Sequence, residues 1–117
     1  MPIVWVDYRN SSKSENYKEI LKKVAINRNV PSILLKHEPK DWEIAEGAGI
    51  SLQISGHTHK AQMWPLVYVA RMIYKNFTYG LQRFKNMQIY TSSGTGTWGP
   101  PMRVGTQSEI VVFTFKP

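Results

Sequence analysis

The chain has 117 residues, of which 42% are hydrophobic and 20% are charged, and it contains no cysteine. This composition is typical of one small globular domain and argues against a disordered tail. The absence of cysteine excludes disulfide bonds and thiolate metal sites. No apolar run is long enough to span a membrane and no secretory signal opens the chain, so we expect a cytoplasmic protein or one peripheral to a membrane.

The net charge of +7 is unevenly distributed. Residues 1–59 carry a net charge of +1, whereas residues 60–117 carry +6, with Glu109 as their single acidic residue. Such a one-sided excess indicates an anionic neighbour, and a basic face that only maintains solubility is the alternative. We do not expect a nucleic acid partner, because the sequence has no helix-turn-helix, zinc-finger or RNA-recognition motif.

The first half of the chain is predicted to alternate short strands with helices. Ile3–Asp7 is apolar and rich in β-branched residues, which predicts a buried strand. Ser12 and Glu15 fit a capping box, with Ser12 as the N-cap of the helix that follows. That helix is amphipathic and about four turns long, because its apolar residues recur at helical spacing: Tyr17, Ile20, Leu21 and Val24.

A strand–helix–strand unit is predicted next. Ser32–Lys36 and Ser51–Ser55 are short apolar runs, and Asp41–Ala48 between them has the pattern of a short helix ended by glycines. A helix connecting two strands over so few residues predicts a parallel pair.

The second half contains one predicted helix, two predicted strands and a long loop. Trp64–Phe77 is amphipathic, with aromatic residues, an aliphatic stripe and two cations. This pattern fits either a helix that faces a membrane or an ordinary helix that packs on the rest of the domain. Met87–Thr91 and Ile110–Phe115 have the composition of strands. Ser92–Gly105 is rich in Gly, Pro, Ser and Thr, which predicts a loop.

The three histidines of the chain follow the ends of the two predicted parallel strands. His37 comes directly after one strand, and His57 comes two residues after the next, preceded by Gly56. The carboxyl ends of parallel strands open at one edge of a sheet, and neighbouring strands are roughly 4.8 Å apart, so two imidazoles can converge on one ion. His59 lies two residues beyond His57, which places both rings on one face of an extended segment.

Neutral imidazole suits Zn, Fe and Mn. Three imidazoles and a water would also make the open site of a mononuclear zinc lyase or hydrolase, and that alternative stays open. The interpretation that each histidine is a structural or surface residue also stays open.

The segment Ser55-Gly56-His57-Thr58-His59, followed by Gln62, resembles the terminal Gly-His-x-His metal motif of calcineurin-like metallophosphoesterases. Ile33–Pro39, an apolar strand that ends at a histidine, is similar to the preceding motif of that family. Gly94–Gly105, followed by Glu109 and Ile110, is similar to a branch of membrane-associated bacterial phosphohydrolases and their transmembrane relatives. The resemblance covers essentially the whole chain, in order.

The resemblance implies a fold, a metal centre and a reaction. His37 and His57 would bind one ion of a two-metal centre and His59 the other, with Mn, Fe, Zn or Mg as the candidate metals. Such a centre clamps a phosphate ester and generates the hydroxide that attacks phosphorus. Gly56, Thr58 and Gln62 would form the supporting loop. The fold would be the C-terminal half of an α/β/β/α sandwich, with the last strands on its second sheet.

Three residues near this motif are candidate substrate contacts. Lys60 stands where the branch has the first of two glycines, and a lysine there would act as a phosphate-binding point charge or remain a solvated side chain. Trp98 and Arg103 lie in the predicted loop, and Arg103 would bind phosphate as a fork. An ion pair between Arg103 and Glu109 is the competing interpretation.

The earlier motifs of the family do not occur in this sequence. Asp-x-His, Gly-Asp and Gly-Asn-His are absent, and Asp7, which is followed by Tyr8 and Arg9, does not replace them. We therefore interpret residues 1–117 as the C-terminal portion of a metallophosphoesterase domain. Without a bridging carboxylate, we expect weak or mononuclear metal binding and little turnover by this fragment alone.

Two functional hypotheses follow from these observations. In the first, the chain is a fragment of a phosphohydrolase that acts on phosphate monoesters or diesters. In the second, it is a non-enzymatic module whose basic aromatic helix, within residues 64–77, binds an acidic membrane or partner. The strand Ile3–Val6 would leave a sheet edge open, which predicts a homodimer formed by edge pairing or exchange of elements.

Overall fold

A computed structural model describes residues 1–116 and contains one mixed five-stranded sheet in the order β1-β2-β3-β5-β4. Neighbouring strands are parallel except β4 and β5, which form an antiparallel pair. The α/β class predicted from the sequence is confirmed. The strands are β1 (Ile3–Val6), β2 (Ile33–Lys36), β3 (Leu52–Ser55), β4 (Gly80–Phe84) and β5 (Met87–Thr91).

In the described part of the chain, four α-helices and two short 3₁₀ turns connect the strands. The 3₁₀ turns cover His59–Ala61 and Lys75–Thr78. The predicted strand–helix–strand unit is confirmed, because β2 and β3 are parallel and α3 lies between them in the chain. The helices are α1 (Tyr8–Ser11), α2 (Ser14–Lys23), α3 (Trp42–Ala48) and α4 (Val67–Tyr74).

The core lies between the sheet and the helices α2 and α3. Leu34 of β2 and Ile89 of β5 are fully buried against Tyr17 of α2 and Ala45 of α3. Residues that alternate with core positions on the edge strand β1 are largely exposed, with Trp5 at 70%. One face of the sheet is therefore packed, and the other is open to solvent along β1.

The start of α2 differs from the prediction, and the capping box at Ser12 and Glu15 is wrong. The side chain of Asp7 accepts a hydrogen bond of 2.7 Å from the backbone N–H of Arg9 and begins α1 five residues earlier than expected. Ser12 then adopts helical backbone angles as the C-cap of α1, whereas an N-cap residue needs an extended backbone.

The predicted helix over Trp64–Phe77 is shorter than expected. Only Val67–Tyr74 is α-helical, and Lys75 ends the helix because its φ of 53° is left-handed. Pro65 lies in the turn that precedes the helix.

The strands of the second half also differ in part from expectation. The strand Met87–Thr91 is confirmed as β5, and its neighbour Gly80–Phe84 was not predicted. The described residues Ile110–Phe115 form no strand, so that prediction is wrong. Both β4 and β5 belong to the same sheet as β1–β3, so the described residues do not form the expected second sheet.

Strand β1 lies at one edge of the sheet, the position that the predicted edge-paired homodimer requires. Dimerisation stays a prediction, which light scattering of the purified protein tests. None of the helices in residues 1–116 has the length and apolar character that crossing a membrane requires.

Candidate metal centre

Two of the three histidines meet at the carboxyl ends of β2 and β3. His57 Nδ1 lies 2.9 Å from His37 Nε2, and the two ring centroids are 4.8 Å apart. A backbone hydrogen bond of 3.0 Å from Gly56 N–H to the carbonyl of His37 links the segments that follow β3 and β2. The adjacent parallel strands thus bring these two rings together, as the topology predicted.

The spacing of these nitrogens fits two ligands of one metal ion. Imidazole binds zinc at about 2.0–2.1 Å, so two such nitrogens on one ion are about 3.0–3.4 Å apart, depending on the bond angle. The separation of 2.9 Å between His57 Nδ1 and His37 Nε2 is close to that range. The two nitrogens are in hydrogen-bond contact, and an ion bound by both would replace that contact.

Glu38 contacts the opposite nitrogen of the His57 ring. Its Oε1 lies 3.5 Å from His57 Nε2, and its other oxygen pairs with the ammonium of Lys40. A carboxylate beside one ring nitrogen favours the proton there and leaves the other nitrogen free for a metal. Sequence analysis did not assign Glu38 a role, although its place directly after His37 could have indicated one.

Burial lowers the pKa of His57 below its ordinary value, and the neighbouring His37 ring lowers it further, while Glu38 acts in the opposite direction. A lowered pKa keeps the imidazole neutral at neutral pH. Neutral imidazole is the form that binds metal.

Two tyrosines surround the histidine pair. The ring centroid of Tyr8 is 5.1 Å from that of His37, and the ring centroid of Tyr74 is 6.1 Å from that of His57. Tyr8 comes from α1 and Tyr74 from the end of α4, so elements distant in sequence enclose the same pair. Neither tyrosine was singled out as part of the site by sequence analysis.

His59 has separate surroundings. Its Nδ1 lies 3.3 Å from the carbonyl oxygen of Gly96. Among residues 1–116, no three or more His, Cys, Asp or Glu side chains converge closely enough to hold an ion. The described residues therefore provide a two-histidine arrangement and do not assemble the three-histidine site.

The chain around His59 follows an unusual backbone path. His57, His59, Lys60, Ala61 and Gln62 all have positive φ, between 47° and 65°. This left-handed region costs residues with a Cβ about 1–2 kcal/mol each, whereas glycine adopts it freely. The two glycines expected at positions 60 and 61 from the resemblance would therefore fit this backbone without strain.

The side chain of Lys60, a candidate phosphate contact, lies over an aromatic ring. Its ammonium is 4.1 Å from the ring centroid of Tyr79. This is a cation–π contact, and it places the charge beside Tyr79.

Arg103 and Glu109 do not form the ion pair that was considered. Arg103 donates hydrogen bonds to the backbone carbonyls of His59 and Ser93, at 3.1 and 2.8 Å. Glu109 instead accepts hydrogen bonds from the Tyr79 hydroxyl at 2.8 Å and from the Ser93 N–H at 2.9 Å. Arg103 therefore holds the loop Ser92–Gly105 against the backbone of residues 57–62, which we call the histidine turn.

The supporting residues bond mainly to backbone. Thr58 donates from its hydroxyl to the carbonyl of Thr78 at 2.7 Å. The buried amide of Gln62 donates to the carbonyls of Trp98 and Pro100 at 2.8 and 2.9 Å. The bond of Thr58 fixes its segment to the 3₁₀ turn after α4. The bonds of Gln62 fix it to the loop that carries Trp98, whose side chain is 71% exposed.

A largely apolar cavity of about 230 Å³ opens beside His57 and His59. Trp98 lines it from the loop and Tyr74 from the end of α4. Thr58, Ala61 and Gln62 line it from the chain around His59. The aliphatic part of the wall comes from α4 and the turn before it: Leu66, Val69, Ala70 and Ile73. An organic group next to the histidines would have apolar surroundings.

Comparison with known proteins identifies several metallophosphoesterases. The chain is 38% identical over 95 residues to an uncharacterized metallophosphoesterase of Campylobacter jejuni, a match that covers 80% of this chain and 25% of that protein. It is 35% identical over 109 residues to an uncharacterized metallophosphoesterase of Helicobacter pylori, with coverage of 90% and 29%. It is 39% identical over 89 residues to the transmembrane protein with metallophosphoesterase domain of Danio rerio, with coverage of 74% and 20%.

No protein-family model and no solved structure matches the chain. The chain spans about a quarter of the length of the relatives from Campylobacter and Helicobacter. The relatives agree in their family name and match most of this chain. The chain belongs to the calcineurin-like metallophosphoesterase superfamily.

Proposed function

We propose that this chain contributes the C-terminal part of a metal-dependent phosphohydrolase centre, which holds two divalent ions and hydrolyses phosphate monoesters or diesters. The observation that carries the proposal is the 2.9 Å approach of His57 Nδ1 to His37 Nε2 at the ends of adjacent parallel strands. The names of the relatives support the reaction class.

Each residue near the strand ends has a distinct proposed role. His37 and His57 would hold one ion through Nε2 and Nδ1, and Glu38 would orient the His57 ring from its other side. His59 would hold the second ion. A divalent ion at such a centre, with Mn, Fe, Zn or Mg as candidates, supplies the charge that stabilises a reacting phosphoryl group.

The apolar cavity beside His57 and His59 is the proposed place for the organic group of the ester. Trp98 would close this cavity from the loop side. Arg103 is not proposed as a phosphate ligand, because its guanidinium already bonds to the carbonyls of His59 and Ser93.

Full turnover is proposed to require the carboxylate ligands that the Asp-x-His and Gly-Asp motifs supply in this family. Residues 1–117 lack both motifs, so these residues alone are expected to bind metal weakly and to turn over little substrate. A fast metal-dependent hydrolysis of para-nitrophenyl phosphate by the purified chain, abolished by His57→Ala, would contradict this part of the proposal.

Calorimetric titration with Mn²⁺ and Zn²⁺ tests the ligand assignment. His37→Ala and His57→Ala should each remove the tighter binding event, whereas His59→Ala should leave it within a fewfold of the parent protein. Circular dichroism establishes that each variant is folded. Metal affinity unchanged by both His37→Ala and His57→Ala would refute the proposed centre.

A further inference from the structure

A second cleft, of about 370 Å³, lies beside α4 on a different face of that helix from the histidine cavity. Three cations line it: Lys60 from the histidine turn, Arg71 from α4, and Lys75, the residue that follows α4. Uncharged polar side chains complete much of the wall: Asn76, Thr78 and Gln82.

The three cations of this cleft have no carboxylate partner within the described chain. Among residues 1–116, no acidic side chain lines the cleft, and Lys60, Arg71 and Lys75 form no ion pair with a carboxylate. Lys60 lies over the Tyr79 ring at 4.1 Å, a contact that places its charge without neutralising it. Three like charges around one polar cleft repel one another, and an anion bound between them would relieve that repulsion.

An exposed apolar strip runs along α4 next to these cations. Every residue of α4 retains accessible surface, and the side chains of Tyr68 and Met72 are 58% and 83% exposed. Successive residues of a helix advance by about 100°, so Tyr68 and Met72 neighbour Arg71 around the axis of α4. Lys75 directly follows the last residue of the helix. Helices that lie in the surface of a bilayer combine an apolar strip with flanking cations in this way.

We propose that the cleft formed by Lys60, Arg71 and Lys75 binds the phosphate headgroup of an anionic phospholipid, while Tyr68 and Met72 enter the bilayer surface. A free phosphate ion would satisfy the cations but would leave Met72 in water, whereas a phospholipid in a bilayer satisfies both features. The inference does not require a bound metal ion, because none of the three histidines lines the cleft.

Vesicle co-sedimentation, with a chelator present to remove any metal, tests this inference. The protein should bind vesicles of phosphatidylglycerol mixed with phosphatidylcholine and should not bind phosphatidylcholine alone. The double variant Arg71→Gln/Lys75→Gln should bind about 25-fold more weakly, because each cation near an anionic surface contributes about fivefold.

A matched control removes two exposed lysines from α2, in the variant Lys22→Gln/Lys23→Gln, which has the same net charge. This control should lose no more than about twofold in binding, because α2 packs on the sheet away from the cleft. Equal losses of vesicle binding in the two double variants would show that the vesicles attract the protein through its net charge alone. That result would overturn the proposal. Failure of the parent protein to bind the anionic vesicles would also overturn it.

Met72→Gln separates a lipid from a free phosphate ion. It removes an exposed apolar group without changing the charge, and it should weaken vesicle binding severalfold while urea unfolding stays unchanged. Two results together would assign the cleft to free phosphate and overturn the proposal of a phospholipid. Vesicle binding would be unchanged in Met72→Gln, and inorganic phosphate, but not chloride at equal ionic strength, would displace the protein from the vesicles.

Discussion

The two halves of the chain use their apolar residues differently. Residues 1–59 contribute nine of the buried hydrophobic residues and residues 60–116 contribute three, Phe77, Met87 and Ile89. The second half instead exposes most of its large apolar side chains, from Trp64 to Phe115, and carries nearly all of the excess positive charge. The first half is thus stabilised mainly by burial, whereas the second depends on polar bonds and presents apolar surface for contacts.

The largest expected effect separates a core position from an exposed one. Leu34→Ala should lower the free energy of unfolding by about 3 kcal/mol, because Leu34 is fully buried and its truncation leaves a cavity. Ile110→Ala, at a side chain that is 85% exposed, should change it by less than about 0.5 kcal/mol. Urea unfolding, monitored by circular dichroism, measures the change in the free energy of unfolding for both variants. Similar losses in the two variants would contradict the contrast between the halves.

The second effect concerns the polar bonds of the second half. Arg103→Ala should lower the free energy of unfolding by about 2 kcal/mol, because the carbonyls of His59 and Ser93 lose a charged donor. Arg83→Ala is the control, since Arg83 is exposed and bonds to the nearby carbonyl of Lys85. If the two arginine variants unfold at the same urea concentration, the loop does not depend on Arg103.

A smaller effect, dependent on pH, is expected at Glu109. Burial alone would raise the pKa of this carboxyl, but hydrogen bonds from Ser93 and Tyr79 outweigh burial and hold the pKa below its ordinary value. A carboxyl with a lowered pKa stabilises the fold above its unfolded pKa of about 4.3, and this contribution disappears as the pH falls through the lowered value.

Glu109→Gln should therefore cost about 1 kcal/mol near neutral pH and progressively less in acid. Urea unfolding across this pH range, with Gln107→Ala as a control in the same segment, measures the difference. A cost that stays constant from neutral to acid pH would show that the charge of Glu109 contributes nothing.

The smallest effect tests the left-handed turn. Ala61→Gly should raise the free energy of unfolding by about 0.5 kcal/mol, because relief of strain at a φ of 59° exceeds the entropy cost of glycine. Ala70→Gly within α4 should have the opposite sign and cost about 1 kcal/mol. Differential scanning calorimetry distinguishes the two signs, and destabilisation by Ala61→Gly would argue against a strained turn.

The sequence predicts most of the first half because its elements rest on local patterns. Ile3–Val6 and Ile33–Lys36 are dense in β-branched and aliphatic residues, and parallel pairing follows from the intervening helix. The second half was predicted less well, since a strand needs a partner as well as propensity. Ile110–Phe115 has strand composition but no pairing, whereas Gly80–Phe84 has weak propensity and pairs with β5.

The meeting of His37 and His57 was predictable because strand order alone determines it. The positions of Glu38 and Arg103 were not, since they depend on side-chain contacts that no spacing rule encodes. Arg103 illustrates this limit, because its partner was expected to be Glu109 and is instead backbone 44 residues away at His59.

The side-chain amide of Gln62 pairs with the backbone N–H and carbonyl of Trp98, as the backbone of a neighbouring β-strand would. It accepts from the N–H of Trp98 and donates to the carbonyl of Trp98. Backbone hydrogens paired in this way exchange with solvent slowly, even where the side chain is exposed. We therefore expect the amide hydrogen of Trp98 to be protected from deuterium exchange although its indole is 71% exposed, and Gln62→Ala to abolish that protection. The exchange rate of the Trp98 amide would thus report whether the histidine turn and the loop that carries Trp98 open together.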